Sequence, residues 1–254
     1  MKIDLEKRSN YHQELDAIQA FDLSYLHKGD QQSQTRGIVS LTFRLAKGKI
    51  YAILGSNGAG KTTLFNLLSG RLFPQQGQLY FHEHLVTYMP LWKRARLGLG
   101  YLSQAGTLVE NMSVEWNLRL AQEAISKWPH KTIGLLSNES SLSGPLQKVA
   151  RLEVLEQMGV KYTLDQPVCS LSGGERRRVE MARLILTQPS ILILDEPFAA
   201  LDESGCHATL DLIEQAKAWG AAVLVTDHQK KYLEEICQEI IYLEKGQLSV
   251  RSSF

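Results

Sequence analysis

Two segments near the start of the chain, Ile18 to His27 and Ile38 to Leu45, mix apolar and polar positions as antiparallel strands with one wet face do. The polar run Lys28 to Gln34 between them reads as a hairpin loop. Ile50 to Leu54 is continuously apolar and bounded by glycine, the pattern of a strand buried on both faces. A helix is predicted from Lys61, with Leu64, Phe65, Leu67 and Leu68 inward and a stop near Gly70. Ser113 caps a further predicted helix, with Glu115 in its first turn and Trp116, Leu118 and Leu120 following. From about Trp128 to Pro145 the pattern fades into a loop rich in Ser, Asn, Gly and Pro. Helical spacing resumes at Leu146, Val149, Leu152, Leu155 and Met158. The last third then alternates. A helix follows Glu175, then come strand Ile191 to Leu194, helix Glu203 to Lys217 and strand Ala221 to Thr226. Helix Lys230 to Cys237 and strand Ile240 to Leu243 close it. This alternation predicts an α/β fold whose parallel sheet is covered on both faces.

At 254 residues with 44% hydrophobic positions, the chain can bury one domain's core, with room for a subdomain. The net charge of +1 (28 basic against 27 acidic) gives no sign of a broad nucleic-acid footprint. Cys169, Cys206 and Cys237 are scattered without metal-type spacing, which fits free thiols in a reducing compartment. The opening MKIDLEKRSNYHQELD is too charged for a signal peptide. Runs such as Ile191 to Leu194 fall far short of the ~20 apolar residues of a spanning helix. A soluble protein is expected, with any membrane contact made through a partner.

The stretch Gly55-Ser56-Asn57-Gly58-Ala59-Gly60-Lys61-Thr62, followed by Thr63, fits G-x-x-x-x-G-K-[ST] between a predicted strand and a predicted helix. Its backbone N–H groups would curl round phosphates, Lys61 would reach the β/γ oxygens, and the Thr62 hydroxyl would face Mg²⁺. Four apolar residues at Ile191 to Leu194 run into Asp195 and Glu196. A carboxylate pair has no structural use at an apolar strand's exit, but open α/β sheets place ligands there. Asp195 suits a metal shell, and Glu196 suits orienting or deprotonating an attacking water. Leu171-Ser172-Gly173-Gly174-Glu175 opens another helix with the build of an anion-binding N-terminus, although one phosphate loop is already present.

Taken together, these residues resemble the ATP-binding subunits of ABC transporters over most of the chain, roughly Ile18 to Gln247. The resemblance implies a P-loop NTPase fold: an ABC-type cassette with a RecA-like core, an antiparallel β subdomain and a helical subdomain at about 105–185. One such domain would span 18–250 after an N-terminal extension at 1–17. Leu171 to Glu175 then matches the signature, Gln104 the Q-loop glutamine, Asp202 the D-loop aspartate and His228 the switch histidine. Hydrolysis of ATP with Mg²⁺ follows, with Lys61, Gln104, Glu196 and His228 catalytic and Thr62, Gln104 and Asp195 at the metal. His27, with Tyr25 two residues earlier, stands where an aromatic stacks on adenine. The cassettes of this family pair head to tail, so Ser172, Gly173, Gly174, Glu175 and Asp202 would close on ATP held at Gly55 to Thr63 of a second subunit. The further partners implied are transmembrane permease subunits, whose coupling helix would dock near Leu108 to Trp116. The location implied is the cytoplasmic face of the inner membrane.

Each of these residues also has a plainer reading. A lone Gln after a strand is usually a surface residue, although its amide both donates and accepts. A His after a buried strand is usually structural, and a lone Asp in this context is most often a helix cap. Arg176 to Arg178 read mainly as a solvated helix face, with Arg178 at the family position. Within the family, the segments Met89 to Leu102, Gly174 to Glu180 and Asp195 to Ala199 are most similar to the lipopolysaccharide-export ATPases, with branched-chain amino-acid importer ATPases next. The chain departs from the export ATPases in its hydrophilic start, its longer hairpin loop, the 128–145 insertion and an end at Phe254 without their C-terminal tail. A soluble ABC ATPase of translation or repair would carry two cassettes or a coiled coil. A nucleotide sensor would lack Glu196 and His228.

Overall fold

A computed structural model describes residues 16–27, 37–126 and 145–252. The expected hairpin loop and nearly all of the 128–145 insertion lie outside those residues, as does the chain before Asp16. The two amphipathic segments at the start become β1 (Asp16–Leu26) and β2 (Gly37–Ala46), which pair antiparallel from Asp16↔Ala46 to Leu26↔Gly37 with bulges between. They belong to a four-stranded antiparallel sheet that continues through β4 (Gln76–Phe81) to β5 (His84–Leu85). The apolar run becomes β3 (Ile50–Leu54) and leads into α1 (Lys61–Ser69). After α2 (Leu91–Arg96) come β6 (Leu99–Leu102), α3 (Val114–Ser126), α4 (Pro145–Gln157) and α5 (Gly173–Ile185). The alternating last third supplies β7 (Ile191–Asp195), α6 (Glu203–Ala218), β8 (Ala222–Thr226), α7 (Lys230–Ile236), β9 (Glu239–Glu244) and β10 (Gln247–Ser252).

The second sheet has the order β10-β9-β3-β8-β7-β6 and is parallel except at β10, which pairs antiparallel with β9. Alternate side chains of each strand face opposite ways, and the cores divide accordingly. Ile50, Ala52, Leu192, Leu194, Val223 and Val225 join the helices α3 to α7 in one cluster. Tyr51, Ile53, Ile191, Ile193, Ala222 and Leu224 pack with α1 and with the antiparallel sheet in the other. The α1 helix is therefore enclosed between the two sheets.

The sequence pattern did not show β4, β5, α2 or β10. In β4 the leading Gln-Gly-Gln hides the apolar alternation. A two-residue turn sets β10, with Lys245 and Gly246 at φ 49 and φ 76, the doubly positive geometry of a type I′ hairpin.

In α2, three basic residues within six make the segment look like surface, yet Arg94 is fully buried. Its Nη1 donates to the Leu67 and Leu68 carbonyls at 2.5 and 2.7 Å. Both carbonyls lie in the last turn of α1, where i→i−4 donors run out, although Leu67 O also takes the capping Gly70 N–H at 3.3 Å. Nε donates to Met89 O at 2.8 Å, Nη2 donates to Thr87 O at 3.1 Å, and the guanidinium lies over the Phe81 ring. Burial lowers its pKa to about 10, which still leaves it charged at neutral pH. A cation at a helix C-terminus also opposes the helix dipole favourably.

Arg94→Met should take the side-chain donor from these buried carbonyls and destabilise the fold by about 3–5 kcal/mol. Thermal melts should show a fall of roughly 10 °C in Tm. Lys93→Ala, on the exposed side of the same turn, should stay within about 0.5 kcal/mol of the parent.

Candidate functional site

The neighbouring strands β3, β8, β7 and β6 bring their C-terminal ends to one edge of the sheet. That edge is where open α/β sheets bind ligands. The loop Gly55–Gly60 leaves β3, Ser103 and Gln104 follow β6, Asp195 and Glu196 end β7, and Asp227 and His228 follow β8.

Gly60 stands at the N-cap of α1 with φ 109, a conformation an L side chain would resist. The first N–H groups of α1 therefore open onto the loop. Lys61 Nζ donates to the carbonyls of Gly55 at 2.5 Å and Ser56 at 3.3 Å, so its ammonium lies over the loop's mouth. Thr62 is exposed in the first turn, while Thr63 is turned inward. The Thr63 hydroxyl meets His27 Nε2 at 3.0 Å, and the Tyr25 ring stands edge-on to His27 at 5.0 Å. The structure thus places His27 and Tyr25 beside the phosphate-loop helix.

Asp195 is only 4% exposed. Burial, followed by the adjacent Glu196 charge, pushes its carboxyl up to about 6, against the pull of Arg177, Lys61 and Arg71. Glu196 has φ 53, and its Oε1 lies 3.0 Å from His228 Nε2. The two sequence-predicted residues meet directly. Asp227, which the sequence reading passed over, accepts from Phe198 N at 3.0 Å and Gln229 N at 2.9 Å. It ties the turn after β7 to the turn after β8.

Ser172 caps α5. Its Oγ donates to Glu175 Oε2 at 2.6 Å and accepts from the Glu175 N–H at 3.3 Å. Its own N–H donates to the same carboxylate oxygen at 2.8 Å, completing a capping box. Tyr162 Oη donates to Glu175 Oε1 at 2.5 Å. The hydrogen bond from Ser172, then that from Tyr162, holds the Glu175 carboxyl down to about 2. A Cβ on Gly174 would come within 2.8 Å of the Ala200 carbonyl, so α5 starts tightly against the turn before α6. Asp202 caps α6 through Gly205 N at 2.9 Å and pairs with Arg178.

A cleft of 480 Å³ brings Gln104, Gly173, Glu196 and Ala200 to one opening. By contrast, among the described residues no hydrogen bond joins Gly55–Thr63 to Ser172–Glu175.

The solvated-face reading of Arg176 to Arg178 is corrected by the structure. Arg176 pairs with Glu110, and Arg178 with Asp202. Arg177 is buried, donating to the carbonyls of Ser103, Asp195 and Glu196. The cause is packing: α5 is enclosed by α3, α4, α6 and β6, leaving little of it for water. The buried Glu180 and Met181 around the apolar Val179, Ala182 and Ile185 show the same enclosure, which the amphipathic pattern alone did not reveal. Arg71 was also missed. It reaches Ser103 Oγ at 3.3 Å and lies over the Tyr101 ring at 5.0 Å.

The comparisons agree with this geometry. A model of the ABC transporter family matches residues 38–199. The lipopolysaccharide export system ATP-binding protein LptB of Acidithiobacillus ferridurans is 34% identical over 84% of this chain and 82% of its own. The protein of that name from Escherichia coli K12 is 31% identical over 91% and 88%. Among solved structures, an ATP-binding subunit of an ABC transporter matches with TM-score 0.75 at 24% identity, over 93% of this chain and 90% of that one. A bacterial ABC transporter cassette with a dimeric structure matches with TM-score 0.76 at 20% identity, over 92% and 98%. From its sheets and its phosphate loop to its relatives, the chain belongs to the ABC transporter family, as an ATP-binding subunit that hydrolyses ATP.

Proposed function

We propose that this subunit powers lipopolysaccharide export, working as a head-to-tail dimer beneath transmembrane permease subunits at the cytoplasmic face of the inner membrane. The observation that carries the export reading is the 31–34% identity to lipopolysaccharide-export ATP-binding proteins over most of both chains. No helix among the described residues is long and apolar enough to cross a membrane, so the permease would supply the passage.

The donor set fits a magnesium nucleotide. No cluster of three or more His, Cys, Asp or Glu among the described residues could hold a metal ion by itself. Thr62, Asp195 and Gln104 would supply a few oxygen ligands and leave the rest to phosphate and water, as Mg²⁺ prefers. Bound there, the ion would help neutralise the negative charge that develops on the phosphates. Gly55 to Thr63 cradle the phosphates, Lys61 turns from the loop carbonyls onto the β/γ oxygens, and His27 or Tyr25 meets the base. Glu196 takes a proton from the attacking water as the bond to the β–γ bridging oxygen breaks and ADP leaves. With its proton on Nε2, His228 would donate to Glu196 Oε1, leaving Oε2 for that water. Ser172, Gly173 and Gly174 close on the nucleotide of the second subunit, with Glu175 and Asp202 beside them.

Glu196→Gln should lower the steady-state rate of phosphate release by about 10²–10⁴-fold. With ATP the same variant should elute as a dimer, and a monomer under those conditions would count against the paired arrangement. Purified from detergent-solubilised native membranes with ATP, tagged Glu196→Gln should carry the lipopolysaccharide-export permease, identified by mass spectrometry. Recovery of an amino-acid importer permease would redirect the assignment.

Asp195 gives a pH prediction. Its carboxyl is pushed up to about 6 in the fold from the 3.8 of a free side chain, so charging it opposes folding. The stability this group contributes is fully present below 3.8 and lost as pH rises through about 6. Asp195→Asn should therefore stabilise the nucleotide-free protein by about 2 kcal/mol at about pH 8, raising Tm by several degrees. The gain should vanish near pH 4. Hydrolysis by the same variant should be lost.

A further inference from the structure

The side chains of α5 lie across the ends of two strands. Arg177 Nη2 donates to the Asp195 carbonyl at 2.5 Å and to the Glu196 carbonyl at 2.8 Å. These carbonyls belong to the two rigid peptide units on either side of the Glu196 Cα, so one guanidinium constrains both backbone torsions of that residue. The constraint matters because φ 53 lies in the left-handed region that side chains other than glycine avoid. The first of those peptides is held from its other side as well, Glu196 N donating to Thr226 O at 2.8 Å.

Arg177 Nη1 meanwhile donates to Ser103 O, the residue before Gln104, at 2.9 Å. Its charge is balanced one turn on by Glu180, which is 3% exposed and 3.2 Å away. Glu180 in turn accepts the Thr107 N–H at 2.8 Å, and Arg183 donates to Thr107 O at 2.9 Å. Arg177, Glu180 and Arg183 thus form one line along α5 that fixes both the segment carrying Gln104 and the residue carrying the Glu196 carboxylate. With Nη2 committed to two carbonyls, this arginine does more than neutralise a buried charge.

We infer that Arg177 is a positioning residue for hydrolysis: it holds the Glu196 backbone so that the carboxylate is seated against His228. The inference rests on the role proposed above for Glu196. Lysine keeps the positive charge but offers one nitrogen in place of a fork, and cannot span Ser103, Asp195 and Glu196 together.

Arg177→Lys and Arg177→Gln would be compared with the parent by steady-state ATP hydrolysis, thermal melts, and ATP-dependent dimerisation in a Glu196→Gln background. A positioning role predicts a fall in kcat of about tenfold or more, with KM for ATP within roughly twofold and dimerisation intact. A purely structural arginine would shift Tm, KM and dimerisation together. Unchanged kcat in a folded variant would overturn the inference, as would loss of folding in both variants or loss of the dimer. If Glu196→Gln itself hydrolysed ATP at the parental rate, the role of Glu196 would fail, and this inference with it. An inactive Glu196→Gln beside a fully active Arg177→Lys would overturn this inference alone.

Discussion

A helix enclosed between two sheets must satisfy its ends inside the protein, and α1 meets that constraint differently at each end. At the C-terminal end Arg94 gathers the Leu67 and Leu68 carbonyls, while the N–H groups of Arg71 and Leu72 cover Asn66 O at 3.0 Å. Those three carbonyls are taken up by protein donors. At the N-terminal end the donors stay open, framed by a glycine loop and a lysine. The helix is closed by protein atoms on one side and left for an anion on the other. That asymmetry fixes where phosphate can go, and the strand ends around it follow from the parallel sheet.

The parts of this design governed by local pattern could be read from the chain. Strands β3, β7 and β8 are continuous apolar runs because both their faces are covered, and the carboxylates after β7 stand out against that run. The phosphate loop is legible because its spacing is set by backbone geometry alone. Arg94 and Arg177 were not legible. Their burial depends on carbonyls contributed by segments distant in sequence, and in one dimension each sits in a basic run that looks wet. Tyr162 was hidden for a similar reason: its partner Glu175 is thirteen positions away across a turn.

Charge at the strand ends is close to balanced. Asp195 and Glu196 face Lys61, Arg71 and Arg177, and burial still outweighs the cations at Asp195. Phosphates brought to Lys61 would add negative charge beside a carboxyl that already resists ionising. A divalent cation would offset that added charge, a reason beyond coordination for the proposed site to take nucleotide and metal together.

The capping box at Ser172 has its own consequence. The start of α5 already holds an anion, the Glu175 carboxylate, bonded by the Ser172 N–H and by the Ser172 hydroxyl that a phosphate would also seek. A phosphate docking there, as proposed, would have to draw the Ser172 hydroxyl away from that carboxylate. The lost hydroxyl–carboxylate hydrogen bond would be set against the new one, so such a contact would form and release from a shallower well.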